Sequence, residues 1–228
     1  MIGILGAMDI ELETLLSDME DKKEEKVSGF SFFTGTLAGR SVVIAKCGIG
    51  KVAAGICAQT MILRYAPALL LHTGVAGTLT SALSVTDVAI GERAVQHDMD
   101  TSALGDPVGL ISGINKIYFE ADEKAAALFL AIAKEDGINA LCGTVASGDQ
   151  FICDKTVKDR IVQNFGAIAC EMEGAAVAHA AYLNGTPFII LRAISDSADG
   201  SSHMDYQTFL PLAANRSYRM VKKFLARY

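Results

Sequence analysis

The chain has 228 residues, of which 51% are apolar and 20% are charged, a balance typical of a folded domain and not of a disordered chain. Its formal net charge of -6 disfavours a nucleic-acid or anionic-membrane partner, because both are polyanions that bind clustered Lys and Arg. A chain of this length fits one domain, 1–228, and we expect a small-molecule ligand.

The amino-terminal run and the cysteines favour a cytoplasmic protein. The first apolar run is broken by Asp9 and has no basic residues before it, unlike a secretory signal. No apolar run reaches the roughly 20 residues that span a bilayer. The five cysteines are odd in number and include no C-x-x-C pair, which indicates reduced thiols and neither a disulfide framework nor a zinc site.

Short apolar runs alternate with helical patterns along the chain. The first half is predicted to hold strand Met1–Leu5, helix Met8–Glu20, a hairpin of Phe30–Leu37 and Ser41–Lys46, helix 51–64, and strands Leu69–His72, Val85–Ile90 and Arg93–Gln96. After an irregular stretch over 98–115 come helix Asp122–Asp136, strand Ala140–Ala146, helix Lys155–Asn164, strand Ala167–Cys170, helix Glu173–Leu183, strand Phe188–Ile194 and helix Tyr206–Arg227. The alternation predicts an α/β fold: a single-domain, three-layer sandwich with a central mixed, mostly parallel β-sheet flanked by helices.

Polar or glycine-rich residues follow five of the apolar strands. In open α/β sheets the ligand binds beyond the carboxyl ends of the strands, where such residues gather. The candidate site segments are therefore 6–11, 47–51, 73–77, 170–174 and 192–196.

The segment after the apolar run 188–191 is the most informative of the five. Arg192, Ser195 and Asp196 follow that buried strand within five residues. Three polar groups at one strand end need partners. They fit either a ligand site or an Arg–Asp ion pair beside a helix-capping residue.

Acidic residues occupy two other strand ends. Glu171 and Glu173 have the i, i+2 spacing that places two side chains on one face of an extended chain, just before a helix. They could bind a ligand or simply complement the helix dipole. Glu11 lies beside the apolar stripe of the first helix, where an acid is costly unless it is paired or functional.

Two weaker patterns point to other ligands. Asp199 and His203 suggest a metal site, which their irregular spacing disfavours. The turn 48–51, G-I-G-K, resembles a phosphate loop but lacks the G-x-x-x-x-G-K-[ST] pattern. We expect neither a metal nor a cofactor.

Six segments together resemble one family of enzymes. In chain order they are G-I-L-G-A-M-D-I-E at 3–11, G-I-G-K-V-A-A at 48–54, T-G-V-A-G at 73–77, S-G-D-Q-F-I at 147–152, E-M-E-G-A-A at 171–176 and R-A-I-S-D-S-A-D at 192–199. They resemble the methylthioadenosine/S-adenosylhomocysteine nucleosidases of the purine nucleoside phosphorylase-like superfamily. The resemblance covers essentially the whole chain and implies a cofactor-free hydrolase that releases adenine and a 5'-thio-substituted ribose.

The same resemblance implies which residues hold the purine. Asp196 would hold and protonate adenine N7, Phe151 would stack on the base, and the backbone of Ile152 would read its Watson–Crick edge. Gly77 and Ser195 would belong to the same substrate site. Asp196 would thus be the acid at the leaving group.

The sugar and the attacking water would have other partners. The resemblance implies that Glu173 and the Met172 backbone bind the ribose hydroxyls. Glu11, helped by Arg192, would orient and deprotonate water. The apolar pocket for the 5'-thio group would be lined by Met8, Ile49 and Tyr206. Chemistry agrees, because breaking a glycosidic bond needs an acid at the leaving group and a base at water, on opposite sides.

Four alternatives remain open at this point, one of which is a metal-dependent hydrolase. A sister nucleosidase for aminofutalosine or 5'-deoxyadenosine would share the adenine and ribose contacts. A nucleoside phosphorylase would need basic residues for phosphate, whereas Asp9, Glu11 and Glu13 follow the first strand. A nucleoside-binding sensor without catalysis would be expected to lack Glu11 or Asp196, and both are present.

The chain departs from the family pattern at two places. Val75 stands where family members often carry a Ser that touches the water, so the water network is expected to be thinner. In 101–108, Leu104 stands where relatives offer aromatic residues to the 5' pocket, some from a partner subunit. The resemblance also implies a homodimer, with the 98–115 stretch near the partner.

Overall fold

Strands and helices alternate through the residues that the computed structural model describes, 1–199 and 202–228, with side chains of the last helix described from 206 onward. The strands are β1 (Ile2–Gly6), β2 (Glu20–Val27), β3 (Phe30–Leu37), β4 (Arg40–Lys46), β5 (Leu69–Thr78), β6 (Val88–Gln96), β7 (Tyr118–Glu120), β8 (Ala140–Ser147), β9 (Ala167–Glu171) and β10 (Phe188–Asp196). The helices are α1 (Asp9–Ser17), α2 (Lys51–Tyr65), α3 (Glu123–Glu135), α4 (Lys155–Phe165), α5 (Gly174–Leu183) and α6 (Ser202–Arg227). None of the helices, as far as the described residues go, is both long and apolar enough to cross a membrane.

The strands form one mixed sheet in the order β10-β6-β8-β9-β5-β1-β4-β3-β2, with β7 on β6. An additional pairing of β10 with β5 closes part of the sheet into a ring. Parallel pairs join β1 to β4 and β5, β10 to β5, and β8 to β6 and β9. Antiparallel pairs join β10 to β6 and β5 to β9, so β1, β4, β5 and β10 run in one direction and β6, β8 and β9 run in the other.

Helices cover both faces of the sheet and bury its apolar runs. Ile4 packs in a core with residues of α1, α3 and α6, among them Phe129 and Phe224, whose rings stack at 4.2 Å. The next residue, Leu5, packs on the opposite face with residues of α2 and α5. Successive strand residues are thus buried on both sides, which confirms the three-layer α/β fold.

Several predicted elements differ from the structure. Strand β5 continues to Thr78 and not only to His72, so it includes the predicted strand exit 73–77, and α6 begins at Ser202 and not at Tyr206. Helix α1 ends at Ser17 and not at Glu20, because Glu20 begins β2, a strand that the sequence analysis missed. The short strand β7 was also missed. The two strands predicted over 85–96 are one, β6, whose pairing with β8 shifts register between Gly91 and Arg93. A bulge of this kind interrupts the side-chain pattern without ending the strand.

Candidate active site

A cleft opens at the carboxyl ends of β1, β5, β9 and β10 and brings most of the predicted site residues together. Those that line it are Met8, Glu11, Ile49, Gly77, Phe151, Met172, Glu173, Ser195, Asp196 and Tyr206. Ile152 lines an inner extension of the cleft beside Phe151 and Asp196. Arg192 is 1% exposed and lies behind the wall.

Glu11 is fixed by backbone amides from two segments. Its Oε2 accepts from the amides of Ala7 (2.7 Å) and Met8 (3.0 Å), and its Oε1 accepts from the amide of Val75 (3.1 Å). Burial raises the pKa of Glu11, although the Arg192 charge and these amides oppose the rise. The carboxylate is therefore held in one orientation in a nearly dry environment.

Glycine at position 74 makes room for this arrangement. A Cβ there would lie 2.4 Å from Oε1 of Glu11 and 2.6 Å from Nη1 of Arg192. Both charged groups thus approach the backbone of β5 closer than any side-chain-bearing residue allows.

Arg192 is anchored by Glu171, which lies in a predicted site segment but was given no role, and by His72, which the sequence did not indicate. Its Nη2 donates to Glu171 Oε2 and, over 2.7 Å, to Nδ1 of His72. Burial, together with the Arg192 charge, lowers the pKa of His72 well below its usual value, so the ring is neutral and can accept. Glu171 also accepts from the Ser147 hydroxyl and from the Gly174 amide at 2.8 Å. The Arg192–Glu171 pair is therefore buried and fully hydrogen-bonded on the carboxylate side.

Glu173 is held more loosely than Glu11. It lies at the N-cap position of α5, is 5% exposed, and accepts one hydrogen bond, from the Gly50 amide at 2.8 Å. Burial and the negative charge of Glu171 raise the pKa of Glu173 to about 7. The carboxyl can therefore exchange a proton near neutral pH.

Asp196 ends β10 and is 2% exposed. Its Oδ2 accepts from the Ser195 hydroxyl at 2.9 Å, and its Oδ1 accepts from the Ala198 amide at 2.9 Å. A Cβ at Gly77 would lie 2.8 Å from Oδ1, so glycine is needed where β5 passes this carboxyl. Of the polar strand end predicted at 192–196, Ser195 and Asp196 therefore line the cleft, whereas Arg192 lies behind them.

Apolar groups form the outer part of the cleft. The Phe151 and Tyr206 rings meet edge to face at 5.5 Å, and the Tyr206 hydroxyl donates to the Met8 sulfur at 3.2 Å. Ile49 and Phe151 remain 61% and 47% exposed. The cleft therefore has a polar floor, an apolar rim and an open mouth.

One group among the described residues has the spacing of metal ligands. His72, Glu171 and Glu173 each place a ligand atom within 4.8 Å of the others. The Arg192 guanidinium already contacts His72 and Glu171, and its charge opposes a second cation there. The other metal interpretation, Asp199 with His203, depends on a side chain outside the described residues.

The arrangement suits proton transfer at two points of one ligand. Glu11, Glu173 and Asp196 are buried carboxyls with different hydrogen-bond partners, and carboxyls in different surroundings can take the separate roles of acid and base. The apolar rim fits a flat or aliphatic group.

Sequence comparison places the chain among known proteins. It matches the model of the phosphorylase superfamily over residues 1–226. A 5'-methylthioadenosine/S-adenosylhomocysteine nucleosidase of Shewanella baltica strain OS155 is 36% identical over 98% of this chain and 95% of its own length.

Solved structures give the same result. A 5'-methylthioadenosine/S-adenosylhomocysteine nucleosidase from Neisseria meningitidis, in complex with methylthio-immucillin-A, is 34% identical with a TM-score of 0.95, covering 100% of this chain and 99% of that one. A futalosine hydrolase of Helicobacter pylori is 36% identical with a TM-score of 0.95, covering 100% of this chain and 97% of that one.

Proposed function

Because this chain belongs to the phosphorylase superfamily and, within it, to the 5'-methylthioadenosine/S-adenosylhomocysteine nucleosidases, we propose that it hydrolyses the N-glycosidic bond of 5'-methylthioadenosine and S-adenosylhomocysteine. The products are adenine and a 5'-thio-substituted ribose. The observation that carries the proposal is that three buried carboxyls, Glu11, Glu173 and Asp196, border one cleft with an apolar rim.

Asp196 is assigned to the leaving group. When the bond between C1' and adenine N9 breaks, the bonding electron pair moves to the base. Protonated Asp196 then donates a proton to N7 of the base. The Ser195 hydroxyl and the Ala198 amide hold the carboxyl in place. Phe151 would stack on the base and Ile152 would meet its edge, which is consistent with their places on the cleft and its inner extension.

Glu11 is assigned to the water. A water that attacks C1' gives a proton to the carboxylate, whose position is set by three backbone amides. Arg192 supports this side through its charge, while its hydrogen bonds go to Glu171 and His72. The Val75 side chain lines the cleft without a hydroxyl, so the water depends on fewer polar partners.

Glu173 and the Met172 backbone are assigned to the ribose hydroxyls. A carboxylate against the sugar accepts their hydrogen bonds and favours the positive charge that develops on the ring. The 5'-thio group would then reach the apolar rim of Met8, Ile49 and Tyr206.

A second candidate substrate is aminofutalosine. One of the similar solved structures is a futalosine hydrolase, and Ile49 and Phe151 leave the mouth of the cleft open to a larger 5' group. Comparing kcat/KM for aminofutalosine, 5'-deoxyadenosine and methylthioadenosine ranks the three substrates.

Phosphorolysis is disfavoured by the charges around the cleft. Phosphate needs free basic donors. Arg192 is paired with Glu171, Lys51 is paired with Asp98, and Glu11 stands at the exit of β1.

The decisive experiment identifies the sugar product. The protein is incubated with methylthioadenosine, S-adenosylhomocysteine and inosine, each with and without phosphate. Free 5'-methylthioribose, formed at the same rate with and without phosphate, is expected. Formation of a ribose-1-phosphate would contradict the proposal.

Asp196→Asn tests the leaving-group assignment. Asn keeps the shape but cannot donate a carboxyl proton, so kcat should fall by about 10²–10⁴-fold. An unchanged circular-dichroism melt shows that the fold survives. Retained turnover would mean that the acid lies elsewhere.

The assembly and location are also inferred. Residues 1–228 form one nucleosidase domain, a conclusion supported by the match over 1–226.

An exposed apolar stripe on α2, made of Val52, Ile56 and Leu63, supports a homodimer, because such a stripe is usually covered. The five free cysteines favour the cytoplasm. Analytical sedimentation of the wild-type chain and of Leu63→Glu tests the dimer. Equal masses for the two proteins would contradict this interface.

A further inference from the structure

Two neighbouring loops border the cleft. The first, 48–50, carries Ile49 at the rim and the Gly50 amide that binds Glu173. The second, 148–153, carries Phe151 and Ile152 of the proposed purine site. Each loop adjoins a residue with no role in the proposed chemistry, Lys51 after the first and Asp149 in the second.

A third segment joins these two residues. Lys51 Nζ donates to Asp98 Oδ1 at 2.5 Å, and the amide of Asp149 donates to Asp98 Oδ2 at 2.9 Å. The amide of Lys51 in turn donates to Asp149 Oδ1 at 2.7 Å. Gln96 accepts a further bond from Lys51 Nζ at 3.2 Å. The three residues therefore form a closed circuit of hydrogen bonds across both loops.

We propose that Lys51, Asp98 and Asp149 are positioning residues, a clamp that sets Glu173 against the ribose and Phe151 against the base. The proposal rests on the proposed function for the identity of the ligand. It also gives the G-I-G-K turn a role that does not involve phosphate, since the Lys51 ammonium is already bound.

Backbone geometry shows how closely the clamp is built. Gly50 has a φ of 96°, a conformation that favours glycine, and a Cβ there would lie 3.0 Å from Asp149 Oδ1. A Cβ at Gly148 would lie 2.3 Å from Nε2 of His97, the buried neighbour of Asp98. The first loop thus approaches the second at Gly50, and the second approaches the Asp98 segment at Gly148, so a shift of either loop would break the circuit.

The pair at the centre of the clamp is partly shielded from water. The side chains of Lys51 and Asp98 are 17% and 21% exposed, whereas those of the pair Lys155–Asp159 on α4 are 78% and 60% exposed at the same 2.5 Å separation. Although burial acts to raise it, the Lys51 ammonium and the Asp149 amide hold the pKa of Asp98 below its usual value. Shielded pairs contribute more than exposed ones, so the two pairs form a matched comparison.

The clamp acts on Glu173 through the Gly50 amide. That amide stabilises the ionised carboxylate against burial and against the negative charges of Glu171 and Glu11, while Arg192 assists it. Releasing the loop would remove the hydrogen bond from the Gly50 amide and raise the pKa of Glu173 further. A residue that only supported the fold would leave this titration unchanged.

Lys51→Met and Asp98→Asn test the clamp, with Lys155→Met and Asp159→Asn as controls. Loss of one bond to a charged group should raise KM for methylthioadenosine about tenfold with little change in kcat. The acid limb of kcat/KM should move to higher pH. Lys51→Arg should restore most of the lost affinity. Wild-type KM and an unmoved acid limb in folded Lys51→Met and Asp98→Asn would overturn the proposal.

Hydrogen exchange separates this proposal from the proposed function. The Gly50 and Lys51 amides should exchange faster in Lys51→Met and Asp98→Asn than in the two controls, whether or not a substrate is known. If the two variants show faster exchange but the wild-type protein does not cleave methylthioadenosine, the proposed substrate is wrong and the clamp is supported. Unchanged exchange, with cleavage by the wild type, would overturn the clamp alone.

Discussion

Glu11 and Glu173 face the same cleft, but Glu11 accepts three backbone hydrogen bonds and Glu173 accepts one. The donors to Glu11 come from the turn between β1 and α1 and from the buried strand β5. The single donor to Glu173 comes from the 48–50 loop, and the neighbouring Glu171 adds negative charge.

The difference separates a rigid half of the site from an adjustable half. Groups fixed before the substrate arrives need no reorganisation during the reaction, which favours catalysis on the water side. On the ribose side the carboxyl titrates near pH 7 and depends on a loop. Mutations on the water side and on the ribose side should therefore have different effects on kcat, KM and stability.

Among the changes that compare the two halves, the largest effect is expected for Glu11→Gln. The variant keeps the size of the side chain but cannot take a proton from water, so kcat should fall by about 10³-fold while KM changes little. Steady-state kinetics with methylthioadenosine measure both. Glu13→Gln, an exposed residue of the same helix, is the control and should be unaffected. A large rise in KM with normal kcat would show that Glu11 serves binding instead.

Gly74→Ala should disturb the same half of the site without changing any charge. The new methyl would meet Glu11 and Arg192 well inside contact distance. Displacing a catalytic group by about 1 Å can cost about 10²-fold, and kcat should carry the loss. Gly55→Ala, where the nearest atom is 4.0 Å away, is the matched control. Equal activity of the two variants would contradict a rigid water side.

The sequence predicts those parts of the fold in which burial of the side chains requires a recognisable pattern of apolar residues. The strand β1 and the first four residues of β10, 188–191, lack polar side chains because helices cover both faces. Strand β2, E-D-K-K-E-E-K-V, lies at the end of the sheet order and pairs with β3 through its backbone. Its side chains are largely exposed, so no apolar alternation marks it. At three residues, β7 is too short for any period.

The site follows the same division. Asp196 and Glu11 could be found because an acid after a buried strand is unusual. The structure adds partners that are distant in sequence, such as His72 and Ser147, which hold Arg192 and Glu171. No spacing rule joins such residues, because tertiary packing alone brings them together.

Glu173→Gln is expected to cost less than the changes at Glu11. The loss of a charged acceptor for the ribose should lower kcat/KM by about 10–100-fold, through KM and, because the charge on the ring is less well stabilised, through kcat. In the wild type, kcat/KM should rise as pH passes about 7, the pKa of Glu173, because the ionised form accepts the hydroxyl hydrogen bonds. This rise should be absent or reduced in the variant. A variant with the wild-type pH profile would assign the acid limb to another group.

The smallest effect concerns stability, and its sign should differ between the two carboxyls. The pKa of Glu173 is about 7 in the fold against an ordinary 4.5, so the folded chain binds more protons between these values. Stability from this group is full below about pH 4.5 and is lost as pH rises through about 7. Glu173→Gln removes an unfavourable charge at pH 8, and the melting temperature should rise by about 3 °C there and converge with the wild type in acid.

Glu11→Gln should lower the melting temperature at pH 8, although the pKa of Glu11 is also raised by burial. Both carboxylate oxygens of Glu11 accept hydrogen bonds from backbone amides. In the variant the Gln amide nitrogen would replace one of these acceptors with a donor that faces a backbone donor. At Glu173 only one oxygen accepts from the backbone. Calorimetric melts of both variants across pH measure the contrast, and shifts of the same sign at pH 8 would show that the two carboxyls are not held as differently as their hydrogen bonds indicate.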